Sequence, residues 1–136
     1  MNFTKQYIKE ADCKEIQGLK KEMIDGDWLI NRDFYDKPMT WEGYIKPTLL
    51  DWDRIIWIPT GDQLDDEIER ICKEKYEWYN WIYHVESGLD SSETKMRYYA
   101  FIVDNQERPI CGDTCIIVYN PLIAKILLLK QLLKEQ

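Results

Sequence analysis

Paired carboxylates are the most direct candidates for chemistry in this sequence. Asp51 and Asp53 flank Trp52, so both would project from one side of an extended segment. Residues 65–69 hold four further carboxylates. A glycosidase or a metal-dependent phosphotransfer site uses such pairs, but it needs them in an apolar cleft that drives their pKa values apart. Acids at the start of a helix are usually solvated partners of the helix dipole, so a carboxylate-dependent hydrolase is the lowest alternative.

Other catalytic signatures are missing from the sequence. It contains no Gly-rich phosphate loop, no G-x-S-x-G nucleophile elbow and no H-E-x-x-H helix. The single histidine, His84, has no second imidazole with which to form a relay. We therefore predict no catalytic residues and no cofactor, and we favour a protein that is not an enzyme.

The four cysteines are scattered along the chain without a secretory signal, so a reduced state is expected. Cys111 and Cys115 have a C-x3-C spacing, which would complete a zinc site only if His84 or Cys13 converged on them. A free thiol otherwise behaves as a small apolar side chain. We predict no metal, and the sequence leaves open a metal or redox role for Cys111 and Cys115.

The stretch KYEWYNWIYH, residues 75–84, holds five aromatic side chains in ten positions. In a helix that turns by about 100° per residue, the rings at positions 78 and 79 join the apolar core stripe. The other rings are Tyr76 and Tyr83 on one flank and Trp81 on the opposite flank. Flank aromatics usually cover the edge of a helix–sheet contact, but they also stack on planar ligands or anchor protein partners. Tyr76, Trp81 and Tyr83 are therefore the candidate site for a ligand or a partner.

That helix is expected to begin at the clearest local signal in the chain. In PTGDQLDDEIERI, Thr60 and Gln63 have the spacing of a capping box, and acidic residues fill the first turns. The preceding run RIIWIP is rich in β-branched residues and ends at Pro59, which indicates a strand. The pattern predicts a strand followed by a long helix from about Gly61 to about His84.

The remaining elements complete an α+β pattern. We expect a first helix over residues 12–23, a strand over residues 28–32, and a last helix from Leu122 to about Lys134 that begins after Asn120-Pro121. KMRYYAFIVD and TCIIVY are typical of two strands of a hairpin. No repeat or linker marks a domain boundary. The fold class is therefore α+β: a single domain, residues 1–136, with a small, partly antiparallel sheet of about four strands packed by about three helices.

The last helix is apolar around most of its circumference. Its main stripe is Leu122, Ile126, Leu129 and Leu133. Leu128 and Leu132 lie well away from that stripe, and one surface of a small sheet cannot cover both. The helix is either sandwiched within the domain or shared with a second copy. We favour a homodimer through this C-terminal helix.

Charge and hydropathy limit the classes of partner. The chain has 18 basic and 25 acidic side chains, for a formal net charge of -7, so direct binding to nucleic acid is not expected. The amino terminus lacks the apolar region of a signal peptide, and no apolar run approaches the roughly 20 residues that span a bilayer. We predict a cytoplasmic protein that does not enter the membrane.

Three motifs resemble a known group of proteins. ADCKEIQ, DGDW and IIWIPTGDQLDDEI are similar to motifs of a family of small proteins of unknown function encoded by phages and prophages of gut Firmicutes. That family has an A-D-C-x-E-I-Q start, a G-D-[WY] strand and a W-[LI]-P-[TR]-x-D-Q-L junction. The resemblance covers about the first two-thirds of the chain, and Gly61 departs from it because relatives more often carry a side chain there. It implies a phage origin and a shared strand-to-helix core, and it implies no catalytic residue.

Two classes of function follow from these observations. The first is a non-enzymatic accessory protein that binds a protein or a small ligand through the aromatic flank of the long helix. The second is an acidic inhibitor of a host nucleic-acid or defence protein, in which clustered carboxylates imitate phosphates. Ionic strength separates the two, because the affinity of a phosphate mimic should fall steeply with salt and that of an aromatic anchor should not.

Overall fold

The fold is α+β, as the sequence predicts. The structure is a computed structural model that describes residues 3–20, 22–32, 37–41, 54–76, 82–89, 95–104, 106, 108–111 and 118–134. Within these ranges it has four helices and six strands, and the strands form two antiparallel sheets of three. The chain divides into two compact units, residues 1–60 and residues 61–136. The single domain of the sequence analysis stays a prediction.

The amino-terminal unit, residues 1–60, is built from two short helices and one sheet. Its elements are α1 (Lys5–Ala11), α2 (Lys14–Gln17), β1 (Trp28–Asn31), β2 (Met39–Thr40) and β3 (Ile55–Ile58). The sheet order is β2-β1-β3, and every residue of β3 is buried. The strands predicted over 28–32 and in RIIWIP are therefore confirmed.

The helix predicted over residues 12–23 is wrong. Asp12 ends α1 as its C-cap and does not begin a helix, and α2 stops at Gln17. The Asp12 carboxylate accepts two hydrogen bonds from the guanidinium of Arg32, at 2.6 and 2.9 Å, so it is not available to cap a helix. Thr4 provides the cap for α1 instead, since its hydroxyl oxygen accepts from the amide of Tyr7.

The outer edge of β3 is covered by side chains. The Gln17 amide accepts a hydrogen bond from the Trp57 backbone N–H at 2.8 Å and donates to the Trp57 carbonyl at 2.9 Å. The Tyr7 hydroxyl donates to the Pro59 carbonyl, and burial raises the pKa of this hydroxyl so that it stays a donor. Unpaired strand edges invite association with other chains. Gln17, the last residue of the ADCKEIQ motif, thus has a structural role, because it covers the outer edge of β3.

The carboxy-terminal unit, residues 61–136, packs two helices with a second sheet. Its elements are α3 (Gly61–Lys75), β4 (Ile82–Leu89), β5 (Met96–Val103), β6 (Pro109–Cys111) and α4 (Pro121–Lys134). The sheet order is β4-β5-β6. The helix start at Gly61, the strand in KMRYYAFIVD and the last helix are confirmed. The run TCIIVY lies mainly outside the described residues, and β6 falls in what was predicted as a connection.

The long helix predicted to reach His84 is wrong in its last third. Helix α3 ends at Lys75, and residues 82–89 form a strand that pairs antiparallel with β5, from Ile82 opposite Val103 to Leu89 opposite Met96. Residues 82–85 are aromatic, β-branched or histidine, which favours a strand once a partner strand is present. Eight residues of cross-strand pairing then outweigh the helical spacing of a few apolar positions.

Helix α4 is buried within the chain. It begins at an Asn120 cap, whose side-chain oxygen accepts from the Leu122 and Ile123 amides, and it packs against both α3 and β5. Leu128 and Leu132, which were expected to face a second copy, are buried here. The helix is therefore sandwiched within the unit, and the reason for a dimer through α4 is removed.

A glycine suits the start of α3 because α4 passes close to it. A Cβ added at Gly61 would lie 3.3 Å from Cδ2 of Leu122 and 3.6 Å from Nζ of Lys125. The first contact is tighter than ordinary van der Waals contact. The local packing at this position therefore favours a residue without a side chain.

Candidate functional site

The three aromatic residues predicted to form a site do not share a helix. Tyr76 follows the end of α3, where its amide donates to the Cys72 carbonyl and Lys75 Nζ lies 5.6 Å from the centre of its ring. Tyr83 belongs to strand β4, and Trp81 lies outside the described residues. The paired flank positions required a helix through residue 83. The geometric reason for grouping these rings is therefore lost.

Large apolar side chains are instead exposed at one end of the β4–β5 hairpin. Leu89 and Met96 are directly opposite each other and are 52% and 43% exposed. Tyr119 is 48% exposed and follows Val118, which pairs with Tyr98 of β5. We call Leu89 and Met96 the hairpin-end surface. It lies on paired strands, which hold these side chains in place before a partner arrives.

The neighbouring basic residues lie on the other side of β5. Alternation along the strand places Arg97 and Tyr99 on the face opposite to Met96, and Lys95 immediately precedes the strand. Lys95 Nζ lies 5.0 Å from the centre of the Tyr119 ring, and the antiparallel pairing of Val118 with Tyr98 brings Tyr119 into register with Arg97. We call Lys95, Arg97 and Tyr119 the cation–aromatic face.

These residues were not selected by the sequence analysis. The alternating pattern of KMRYY, in a segment already predicted as a strand, was a signal for Lys95 and Arg97. No comparable signal exists for Tyr119, because only the pairing of Val118 with Tyr98 brings it to β5.

The acidic residues of α3 are partly neutralised within the chain. Arg70 forms ion pairs with Glu67 at 2.8 Å and with Glu74 at 3.2 Å. Lys125 of α4 pairs with Asp65 at 3.1 Å. Half of the acidic cluster predicted as a phosphate mimic therefore has internal counter-charges.

Three other carboxylates of α3 remain exposed on one side of the helix. They are Asp62, Asp66 and Glu69. At 100° per residue they fall within about 60° of one another, and the part of the chain that the structure describes places no cation in an ion pair with them. Asp51 and Asp53, the other carboxylate pair, lie outside the described residues.

The described cysteines are free thiols. Cys72 and Cys111 are buried, Cys13 is half-buried, and Cys115 lies outside the described residues. No group of three histidine, cysteine or acidic residues is placed to hold a metal ion within the described ranges. Burial, with a smaller contribution from the nearby Cys111, raises the pKa of Cys72 to about 11.

We expect Cys72 to resist alkylation in the folded protein. The thiolate is the nucleophile, and a pKa of about 11 leaves Cys72 protonated at pH 8. Native protein treated with iodoacetamide at pH 8 and digested for mass spectrometry should carry the label at Cys13 at least about tenfold faster than at Cys72. In denaturant the two rates should become similar. Equal labelling of both residues in the native state would contradict the buried position of Cys72.

Comparisons with known proteins add no relative to this description. No family model, no curated protein and no solved structure matches the chain. None of the helices in the described part of the chain is both long enough and apolar enough to cross a bilayer. The resemblance to phage and prophage proteins therefore stays a prediction that rests on the quoted motifs.

Proposed function

We propose that this chain is a non-enzymatic accessory protein of the phage type, which binds a protein partner in the cytoplasm through the hairpin-end surface. The observation that carries the proposal is where exposed apolar side chains lie. Four large apolar side chains of the described residues are strongly exposed, and two of them, Leu89 and Met96, lie directly opposite each other on this surface. A partner that covers them would remove apolar area from water, which is favourable.

The composition of the surface also fits a protein interface. Methionine is enriched in the centres of interfaces, while most charged residues are depleted there. Met96 is unbranched and adapts to an uneven partner surface. The class of function is the one favoured from the sequence. The binding residues differ, because the hairpin-end surface takes the place of the aromatic helix flank.

A second candidate function is inhibition of a host nucleic-acid or defence protein by phosphate mimicry. The observation in its favour is the row of exposed carboxylates Asp62, Asp66 and Glu69 on α3. A net charge of -7 would steer the protein towards a basic partner. The ion pairs of Arg70 and Lys125 with neighbouring acids weaken this candidate, since they reduce the negative charge that a partner meets.

Site-specific photo-crosslinking tests the two candidates together. A benzophenone amino acid is placed at Met96 on the hairpin-end surface, at Asp66 on the acidic side of α3, or at Lys134, an exposed control position on α4. Each variant is irradiated in a bacterial lysate. We expect one specific product from the Met96 variant and none from the Lys134 variant.

The outcomes separate the candidates. A specific product only from the Asp66 variant, with a yield that falls steeply between low and high salt, would replace the proposed function by phosphate mimicry. Products of equal yield from all three variants would indicate random collisions and would contradict both functions. As a further check, with the benzophenone amino acid at Leu89 instead, Met96→Asp should reduce the yield of the product at least about tenfold if the Met96 side chain is a central anchor.

A further inference from the structure

Arg97 differs from the other arginines because its charge has no partner among the residues that the structure describes. Arg32, Arg70 and Arg108 each form an ion pair with a carboxylate, and Arg54 also has a partner. Within the described ranges, the Arg97 side chain forms no hydrogen bond or ion pair, and its Nε is buried. Acidic residues outnumber basic ones by 25 to 18 in this chain. An uncompensated, half-buried guanidinium therefore requires an explanation.

The position of Arg97 shows how its side chain is held. Arg97 lies opposite Gly88 in the β4–β5 register, and a Cβ added at Gly88 would be 4.0 Å from Arg97 Nε. Since Gly88 has no side chain, the Arg97 stem can lie across the neighbouring strand. Its Nε is buried, while the residue as a whole remains partly exposed. A stem that lies against the neighbouring strand has fewer rotamers to lose when the guanidinium binds a ligand.

The surroundings of Arg97 add a second cation and an aromatic ring. Lys95 lies two residues before Arg97, immediately before β5, and its Nζ is 5.0 Å from the centre of the Tyr119 ring. Two positive charges match a phosphate monoester, which carries about -1.5 to -2 at neutral pH, better than a carboxylate with one charge. Tyr119 is 48% exposed, so its ring can contact the organic part of such a ligand.

We propose that the cation–aromatic face binds a phosphate monoester that carries a planar organic group. Arg97 contacts the phosphate oxygens, Lys95 supplies the second charge, and Tyr119 packs against the planar group. The net charge of -7 opposes a long polyanion such as nucleic acid. A single phosphate is bound by short-range contacts, which salt screens less.

Phenyl phosphate is the probe for this site. The Arg97 Nε–H is buried, so its signal should be resolved in a 15N-correlated NMR spectrum of the whole protein. Titration with phenyl phosphate at constant ionic strength should shift this signal saturably, with a Kd of about 1 mM or lower. Variants are followed through the Tyr119 backbone amide, because Arg97→Lys has no Nε–H. This variant keeps the charge but loses the planar fork, and it should bind at least about tenfold more weakly.

Arg97→Ala also removes the charge and should bind at least as weakly as Arg97→Lys, and Arg108→Ala is its matched control. It removes the same charge from the same unit, but Arg108 is already paired with Asp104, so affinity should stay within about twofold of the wild type. A wild-type Nε–H signal that does not move would overturn the proposal without any variant. Equal loss of affinity in the Arg108 and Arg97 variants would also overturn it, because it would indicate non-specific charge attraction.

Two further ligands define the chemistry. Inorganic phosphate should bind more weakly than phenyl phosphate because it lacks the ring, and benzoate more weakly still because it carries one charge. Benzoate binding as tight as phenyl phosphate would contradict the assignment to phosphate. Met96 and Leu89 lie on the opposite face of the hairpin. Failure of phosphate binding would therefore leave crosslinking at Met96 unaffected, and the reverse also holds.

Discussion

Leu132→Lys is expected to unfold the carboxy-terminal unit. Leu132 has no exposed surface, and it lies on the helix that packs against both α3 and β5. A lysine at this position must either bury an unpaired ammonium or displace the helix, and a change of this kind costs more than about 4 kcal/mol. Total stabilities are only about 5–15 kcal/mol. Circular dichroism in the aromatic region should lose the signal of fixed side-chain packing.

Two milder variants make this prediction quantitative. Leu132→Ala should reduce the free energy of unfolding, measured in urea, by about 2–5 kcal/mol, which is the usual cost of a cavity at a buried leucine. Lys134→Ala, at an exposed position of the same helix, should change it by less than about 0.5 kcal/mol. If α4 were shared by two copies, the double variant Leu128→Lys and Leu132→Lys would be a folded monomer. A folded monomer would therefore contradict the buried positions of both residues.

For α4, some features could be predicted from the sequence and others could not. Its start at Asn120-Pro121 and its length were predictable, because a cap and a proline are local signals. Which of its faces is buried was not predictable, since this depends on two surfaces, α3 and β5, that approach it from different directions. The spacing of apolar residues describes one stripe at a time. In the sequence, a helix that is buried on several sides by its own chain therefore has the same pattern as a helix that is buried by a second copy.

The prediction of a helix through the aromatic stretch, residues 75–84, was wrong for a different reason. Short apolar runs fit a period of 3.6 and a period of 2 about equally well. The strand that pairs with Ile82–Leu89 begins at Met96, beyond the reach of a local pattern. The cation–aromatic face depends on the same non-local pairing, because Tyr119 comes from a segment that joins β5 through Tyr98. Local signals thus predicted most of the elements, and tertiary pairing decided the candidate site.

Gln17→Ala is expected to be the most damaging polar substitution in the amino-terminal unit. The Gln17 side-chain amide makes three hydrogen bonds of 2.8–2.9 Å with backbone groups: two with Trp57 and one with the Ala11 carbonyl. Removing the amide leaves the N–H and carbonyl of Trp57 without these contacts at a site where Trp57 is buried, while the Ala11 carbonyl keeps its hydrogen bond from the Cys13 amide. Each unsatisfied buried group costs about 1–3 kcal/mol, so we expect a loss of about 2–4 kcal/mol in the free energy of unfolding.

A charge variant and an exposed control test the mechanism behind this number. Gln17→Glu keeps an acceptor for the Trp57 N–H but directs a carboxylate at the carbonyls of Trp57 and Ala11, so it should destabilise at least as much as the alanine. Gln6→Ala, at an exposed position of α1, should change stability by less than about 0.5 kcal/mol. Hydrogen exchange supplies the local readout, since the Trp57 amide should lose its protection in both Gln17 variants. If the alanine variant keeps wild-type stability and a protected Trp57 amide, the outer edge of β3 does not depend on Gln17.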